Sequence, residues 1–221
     1  LVFILSARYP TAERYCREYI VPSAKGIAIS YSDEDMRRER EKTGMPPPLC
    51  ELSLLYREIC RKLLFHDGMV FHASVANRAY GFTAPSGTGK STHAAQWRLK
   101  FDSAAVMVND DKPLLRFVGG EFRAYGTPWC GKEGLQTPVS APLRGIAVLE
   151  RAAANRIERV SASAALPAIL NQTLRPEGAE EMDRLLTLCD RLVRTVPLYR
   201  LSCLPNRAAA DLAYETMRFG G

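Results

Sequence analysis

The chain has 221 residues, 47% hydrophobic, 24% charged and 9% aromatic, a composition that supports a sizeable folded core and excludes disordered, collagen-like and coiled-coil readings. Its net charge of +6 favours an anionic partner such as a nucleotide, a phosphate or an acidic peptide. The basic residues are scattered and lack interleaved aromatics, which argues against nucleic acid. No apolar run approaches the roughly 18 residues of a membrane span, and Leu1-Val2-Phe3-Ile4-Leu5 lacks the flanks of a signal peptide, so it reads as a strand. Six cysteines lie far apart with no Cys-x-x-Cys pair, which points to a reduced, cytoplasmic setting without structural zinc.

Val2–Leu5 and Ile27–Tyr31 read as two strands of an edge sheet around a polar or helical stretch at Thr11–Tyr19. Ser32, acids at 33–35 and bases further on predict a surface helix from its cap and dipole. Pro46-Pro47-Pro48 breaks the chain, and Leu52, Leu55, Tyr56, Ile59 and Leu63 recur at helical spacing. Residues 69–75 alternate as a strand, and Ala76-Asn77-Arg78 reads as a turn into a second strand at Ala79–Thr83. Beyond it come a helix to about Leu99, a strand Ala104–Val108, a hairpin across Gly119-Gly120, a loop Gly126–Lys132, and a strand Gly145–Glu150 turning at Asn155 into Arg156–Val160. The remainder reads as helices at about 162–172, 178–193 and 206–218, with a strand near Tyr199–Cys203.

Ala84-Pro85-Ser86-Gly87-Thr88-Gly89-Lys90-Ser91-Thr92 fits G-x-x-x-x-G-K-[ST] everywhere except Ala84, in the strand-to-helix context that a phosphate loop needs. Gly87 and Gly89 permit positive φ, so Ser86–Thr92 can turn N–H groups onto phosphates at a helix N-terminus. Lys90 would bridge the β- and γ-phosphates of ATP, and Ser91 would hold Mg²⁺. A right-handed crossover from this helix is expected to lay the strand ending at Val108 parallel to the one before the loop. Asn109-Asp110-Asp111 then arrives at the phosphates, one carboxylate for metal and one for an acceptor hydroxyl.

This loop, Asn109-Asp110-Asp111-Lys112-Pro113 and a histidine on the preceding strand resemble the catalytic domain of HPr kinase/phosphorylase, which shares its nucleotide-binding core with the phosphoenolpyruvate carboxykinases. The resemblance covers about residues 66–150. It implies an α/β fold, a mixed sheet carrying the loop and flanked by helices, and an ATP-dependent transfer of phosphate to a serine hydroxyl of a protein or peptide. Carried over, Lys90 and Gly87–Gly89 hold phosphates, Ser91 and Asp111 bind Mg²⁺ with Asp110 adjoining, Asp110 is the candidate base, and His72 lies near the transferred phosphate. The family's further acidic ligand has no clear counterpart, Glu121 and Glu133 being candidates. The first 60 residues do not resemble the family's N-terminal domain, so the regulation need not carry over.

The chain is expected to be a single kinase-like domain over 1–221, with N-terminal strands and helix at 1–48, the nucleotide-binding core at 49–160 and a mostly helical part at 161–221. Arg144 is a candidate for stabilising the phosphoryl group in flight. Trp129, in the loop Gly126–Lys132, suits either substrate capture or packing against the core. His66 and His93 read as structural. A small-molecule kinase and a non-catalytic nucleotide switch remain as rivals, and related kinases assemble as homo-oligomers.

Overall fold

The computed structural model describes residues 1–23, 25–76, 80–102 and 106–219. Asn77, Arg78 and Ala79 of the predicted turn and strand, and Ala104 and Ala105 of the predicted strand 104–108, lie outside them. The chain divides into two units, Leu1–His66 and Asp67–Gly221.

In the first unit β1 (Phe3–Leu5) pairs in parallel with β2 (Ile27–Ile29). Among the described residues these strands form a sheet of their own, not the edge of a larger one as expected. Helices α1 (Pro10–Cys16), α2 (Asp33–Thr43) and α3 (Pro47–Leu63) complete the unit. Ser32 Oγ accepts the Asp35 N–H at 3.1 Å while Asp35 Oδ2 accepts the Ser32 N–H at 2.9 Å, a reciprocal cap that starts α2 where the sequence placed it. The prolines do more than break the chain. Pro47 and Pro48 form the first turn of α3, where a missing N–H breaks no helical bond. One face of α3 buries Leu55, Ile59 and Leu63, and Glu51, 0% exposed, accepts the N–H groups of Arg8 and Tyr9 at 2.6 and 3.1 Å and the Tyr31 hydroxyl at 2.5 Å.

The second unit begins with β3 (Gly68–Val70), β4 (Ser74–Ala76), β5 (Tyr80–Thr83), α4 (Lys90–Phe101), β6 (Met107–Asn109), β7 (Leu114–Val118), β8 (Glu121–Tyr125) and β9 (Ser140–Pro142). It ends with β10 (Gly145–Arg151), β11 (Arg156–Arg159), α5 (Ala162–Asn171), α6 (Ala179–Thr195), β12 (Leu198–Cys203) and α7 (Arg207–Met217). Among the described residues its strands form two sheets, ordered β11-β12-β10-β5-β4-β6 and β3-β7-β8-β9. The architecture is mixed α/β.

Three pairings depart from expectation. The run 69–75 is two strands in two sheets, because Met69–Ala76 is buried on both faces apart from His72 and the alternation no longer selects a single sheet face. The kink between them is held by the Phe71 N–H on Pro113 O and the Ala73 N–H on Asp111 O, each 3.1 Å. Strand β6 is not the neighbour of β5: β4 lies between and is antiparallel to both, so β6 still runs in the direction of β5. Strand β11 pairs with β12, not with β10.

Strands β5, β10 and β12 are mutually parallel. Phe82, Ala147, Leu149, Tyr199 and Leu201 form a core with Trp97 of α4 and Ala210, Ala213 and Met217 of α7. That packing fixes the direction in which α4 leaves β5, and with it the position of the glycine-rich loop.

Candidate functional site

Residues Ala84–Gly89 connect β5 to α4 at the carboxyl end of the parallel strands, the edge at which open α/β sheets take their ligands. Gly87 has φ +79° and Gly89 +124°, values that a side chain would strain. Pro85, Ser86 and Gly87 are exposed, as are Ser91 and Thr92 at the start of α4, and Thr88 is half-buried. The Thr88 N–H closes the turn loosely on Pro85 O at 3.3 Å.

Lys90 is 8% exposed, and its Nζ donates to Ala84 O at 2.7 Å. The ammonium thus lies back across its own loop. Burial pushes its pKa down, and the charge of Asp111 acts in the opposite sense, which puts the Asp111 carboxylate in the electrostatic field of Lys90.

Asp111 Oδ1 lies 2.8 Å from His72 Nε2, and its side chain is 24% exposed. The hydrogen bond from His72 is the main reason that the Asp111 carboxyl titrates below its usual range; burial opposes it, and Lys112, with Nζ 3.5 Å from Oδ2, assists. His72 is fixed from behind. Its Nδ1 lies 2.9 Å from Gln172 Oε1, its N–H donates to Gln172 O at 2.8 Å, and its carbonyl accepts from Thr83 Oγ1 at 2.8 Å. Gln172, just beyond α5, is about a hundred residues away in the chain, and no local pattern could have marked it.

Asp110 faces another way. It is 6% exposed, and its Oδ1 accepts the Gly131 N–H at 2.6 Å while Oδ2 makes a long 3.5 Å contact with the Leu135 N–H. A Cβ at Gly131 would lie 3.0 Å from Asp110 Oδ2, so that close approach uses a glycine. Asn109 holds the same loop from the other side: its Nδ2 donates to the carbonyls of Thr127 and Trp129 at 3.2 and 3.1 Å, and its Oδ1 accepts the N–H groups of Asp111 and Lys112 at 2.8 and 2.6 Å. The loop 126–135 is therefore anchored on Asn109 and Asp110. Cys130 joins this neighbourhood: burial pushes its thiol pKa up, and Asp110 and Asp111 add to the effect.

Arg144 is not brought to the site. It precedes Gly145, which pairs with Tyr80 at the start of β5, whereas the glycine-rich loop follows Thr83 at the other end. By the strand register Arg144 lies four residues before Val148, which is level with Thr83, a rise of roughly 13 Å before the loop begins. The arginine that does reach the loop is Arg151, which sequence reasoning passed over: its guanidinium donates to Gly87 O at 2.5 Å and Thr88 O at 3.3 Å. Glu121 pairs with Arg123 at 2.8 Å within the β7–β8 hairpin, and Glu133 with Arg98 at 3.5 Å. His93 is buried; its pKa is pushed down to about 4 by that burial, and its Nε2 accepts from Trp97 Nε1 at 3.0 Å, a place in the core.

Ser91 and Asp111 suit Mg²⁺, which takes hard oxygen ligands and commonly pairs one or two carboxylates with substrate phosphates. Asp111 is the half-exposed, readily ionised carboxylate such a site requires. Among the described residues no cluster of three or more His, Cys, Asp or Glu could cage a metal without such help, and no helix is long and apolar enough to cross a membrane.

No family model matches the chain, and no curated protein does. Among solved structures it is similar to the HPr(Ser) kinase/phosphatase from Coxiella burnetii, with 13% identity over 67% of this chain and 88% of that chain and a TM-score of 0.37. A likeness at that score does not establish a shared fold.

Proposed function

We propose that the protein is an ATP-dependent phosphotransferase that moves the γ-phosphoryl group to a hydroxyl, a serine of a protein or peptide being the acceptor. The observation that carries this reading is the convergence of a buried ammonium, Lys90, and an ionised, histidine-oriented carboxylate, Asp111, on a positive-φ glycine loop at a helix N-terminus.

The loop amides and the α4 N-terminus would receive the phosphates, and Lys90 would turn from Ala84 O to the β- and γ-oxygens. Ser91 and Asp111 would hold Mg²⁺, which neutralises the charge on those oxygens. The acceptor oxygen forms its bond to phosphorus as the bond to the β-phosphate oxygen breaks, and ADP leaves with that electron pair. In a loose transition state the acceptor proton departs late, so it can pass to solvent without a strong base. Asp110, expected as that base, is better placed to position the 126–135 loop, because Gly131 occupies one of its oxygens and little of it is exposed.

Calorimetry with Mg²⁺ and ATP, followed by transfer of labelled γ-phosphate to serine-containing peptides and to a lysate, tests the reading. Saturable binding and a phosphoserine product support it. Transfer only to free metabolites makes the protein a small-molecule kinase, slow hydrolysis without an acceptor makes it a switch, and failure to bind nucleotide ends all three accounts.

A further inference from the structure

The loop has two faces, and only one of them is free to meet a phosphate. A nest of N–H groups forms when the intervening carbonyls point away, and in this chain the carbonyls of Gly87 and Thr88 point to the Arg151 guanidinium, at 2.5 and 3.3 Å. The register explains why this residue reaches them. Val148 lies level with Thr83, so Arg151 stands three residues further along, beside the loop. Successive strand residues face opposite ways, so Arg151 shares a face with Ala147 and Leu149, which pack with Trp97 of α4. Its side chain is therefore directed to the side on which the loop enters that helix.

We propose that Arg151 is a positioning residue for the phosphate cradle: it holds the Gly87 and Thr88 carbonyls outward and so presets the inward N–H groups before a polyphosphate arrives. This rests on the reading of the loop as a phosphate site and adds a residue to it. A guanidinium is suited to the task because its planar fork spans two acceptors at once, which a lysine ammonium does with less geometric control. Arg144, just before the other end of the same strand, supplies the control.

Two measurements test the inference. Calorimetry with Mg²⁺ and either ATP or inorganic triphosphate should show Arg151→Ala weakening both ligands by the same factor, about tenfold, the size expected for losing a charge-assisted hydrogen bond. Arg151→Lys should recover part of the loss, and Arg144→Ala should match the wild type. Amide hydrogen exchange of the ligand-free protein should show residues 87–90 exchanging faster in Arg151→Ala, with the melting temperature and the exchange of β5 and β10 unchanged. Wild-type affinity in Arg151→Ala, an equal loss in Arg144→Ala, or unaltered exchange at 87–90 overturns the inference. If the wild type binds neither ligand, the phosphate reading fails, and the exchange experiment still decides whether Arg151 orders the loop.

Discussion

Glu51 in the first unit and Lys90 in the second are both charged helix residues that are almost wholly buried, and the difference between their surroundings separates scaffold from site. Glu51 has its oxygens filled by two backbone N–H groups and a phenol, all from its own unit. Lys90 commits one of its three N–H donors to Ala84 O among the described residues, and it lies in the field of the Asp111 carboxylate at the carboxyl end of the parallel strands β5, β10 and β12. Burying a charge is costly unless its hydrogen-bonding capacity is met. The filled charge of Glu51 fits a structural part, and on the proposed function the remaining donors of Lys90 are those that would meet a phosphate.

The comparison breaks first at Lys90. Lys90→Ala should lower phosphate transfer about a thousandfold, the upper range for losing one preorganised electrostatic contact, while the melting temperature stays level or rises because a buried ammonium is gone. Transfer at the wild-type rate would place Lys90 with Glu51 as scaffold. Glu51→Ala should do the reverse, lowering unfolding stability by about 3 kcal/mol through unsatisfied buried donors and leaving nucleotide affinity intact. Urea unfolding beside calorimetry reads both effects.

The acid pair sharpens the same distinction. Asp111→Asn should cut transfer about a hundredfold and weaken the Mg²⁺ dependence of nucleotide binding, with some loss of stability near neutrality as the bond from His72 to an ionised carboxylate goes. Asp110→Asn should cost about 1 to 2 kcal/mol of stability, because a charged acceptor of backbone N–H groups is lost, and hydrogen exchange at Gly131 should accelerate. A loss of transfer in Asp110→Asn with unchanged exchange would restore Asp110 to the role of base.

What was legible in the sequence was local. The Ser32 cap, the glycines of the loop and the face of α3 each depend on residues within a turn or two, and local rules found them. Position across strands was not legible. Nothing in residues 69–75 announces that Met69 and Val75 belong to different sheets, because both faces are buried there and the alternation loses its meaning. The insertion of β4 between β5 and β6, and the reach of Gln172 to His72, depend on tertiary pairing. Arg151 is the instructive miss: the rule that parallel strands take ligands at their carboxyl ends favours the last residue of β10 over Arg144 before its first.

The smallest effect tests the scaffold side of the comparison at the surface of the first unit. Asp35, half-buried at the start of α2, titrates below its ordinary value chiefly through its hydrogen bonds with Ser32. A carboxyl with a depressed folded-state pKa binds fewer protons folded than unfolded, so its contribution is complete above the ordinary carboxylate pKa and is lost as pH falls through the lowered one. Ser32→Ala removes the hydroxyl, which accepts the Asp35 N–H and donates to Asp35 Oδ2, leaves the backbone N–H of residue 32 on that carboxylate, and should cost about 1 kcal/mol near neutrality. As pH drops below the carboxylate range, the gap between wild type and Ser32→Ala should narrow, because the wild type loses the bond from the Ser32 hydroxyl to the charged Asp35 carboxylate, which the variant never had. Urea unfolding of the two proteins across that range checks the sign: a gap that widens at low pH would mean that Asp35 does not act through Ser32.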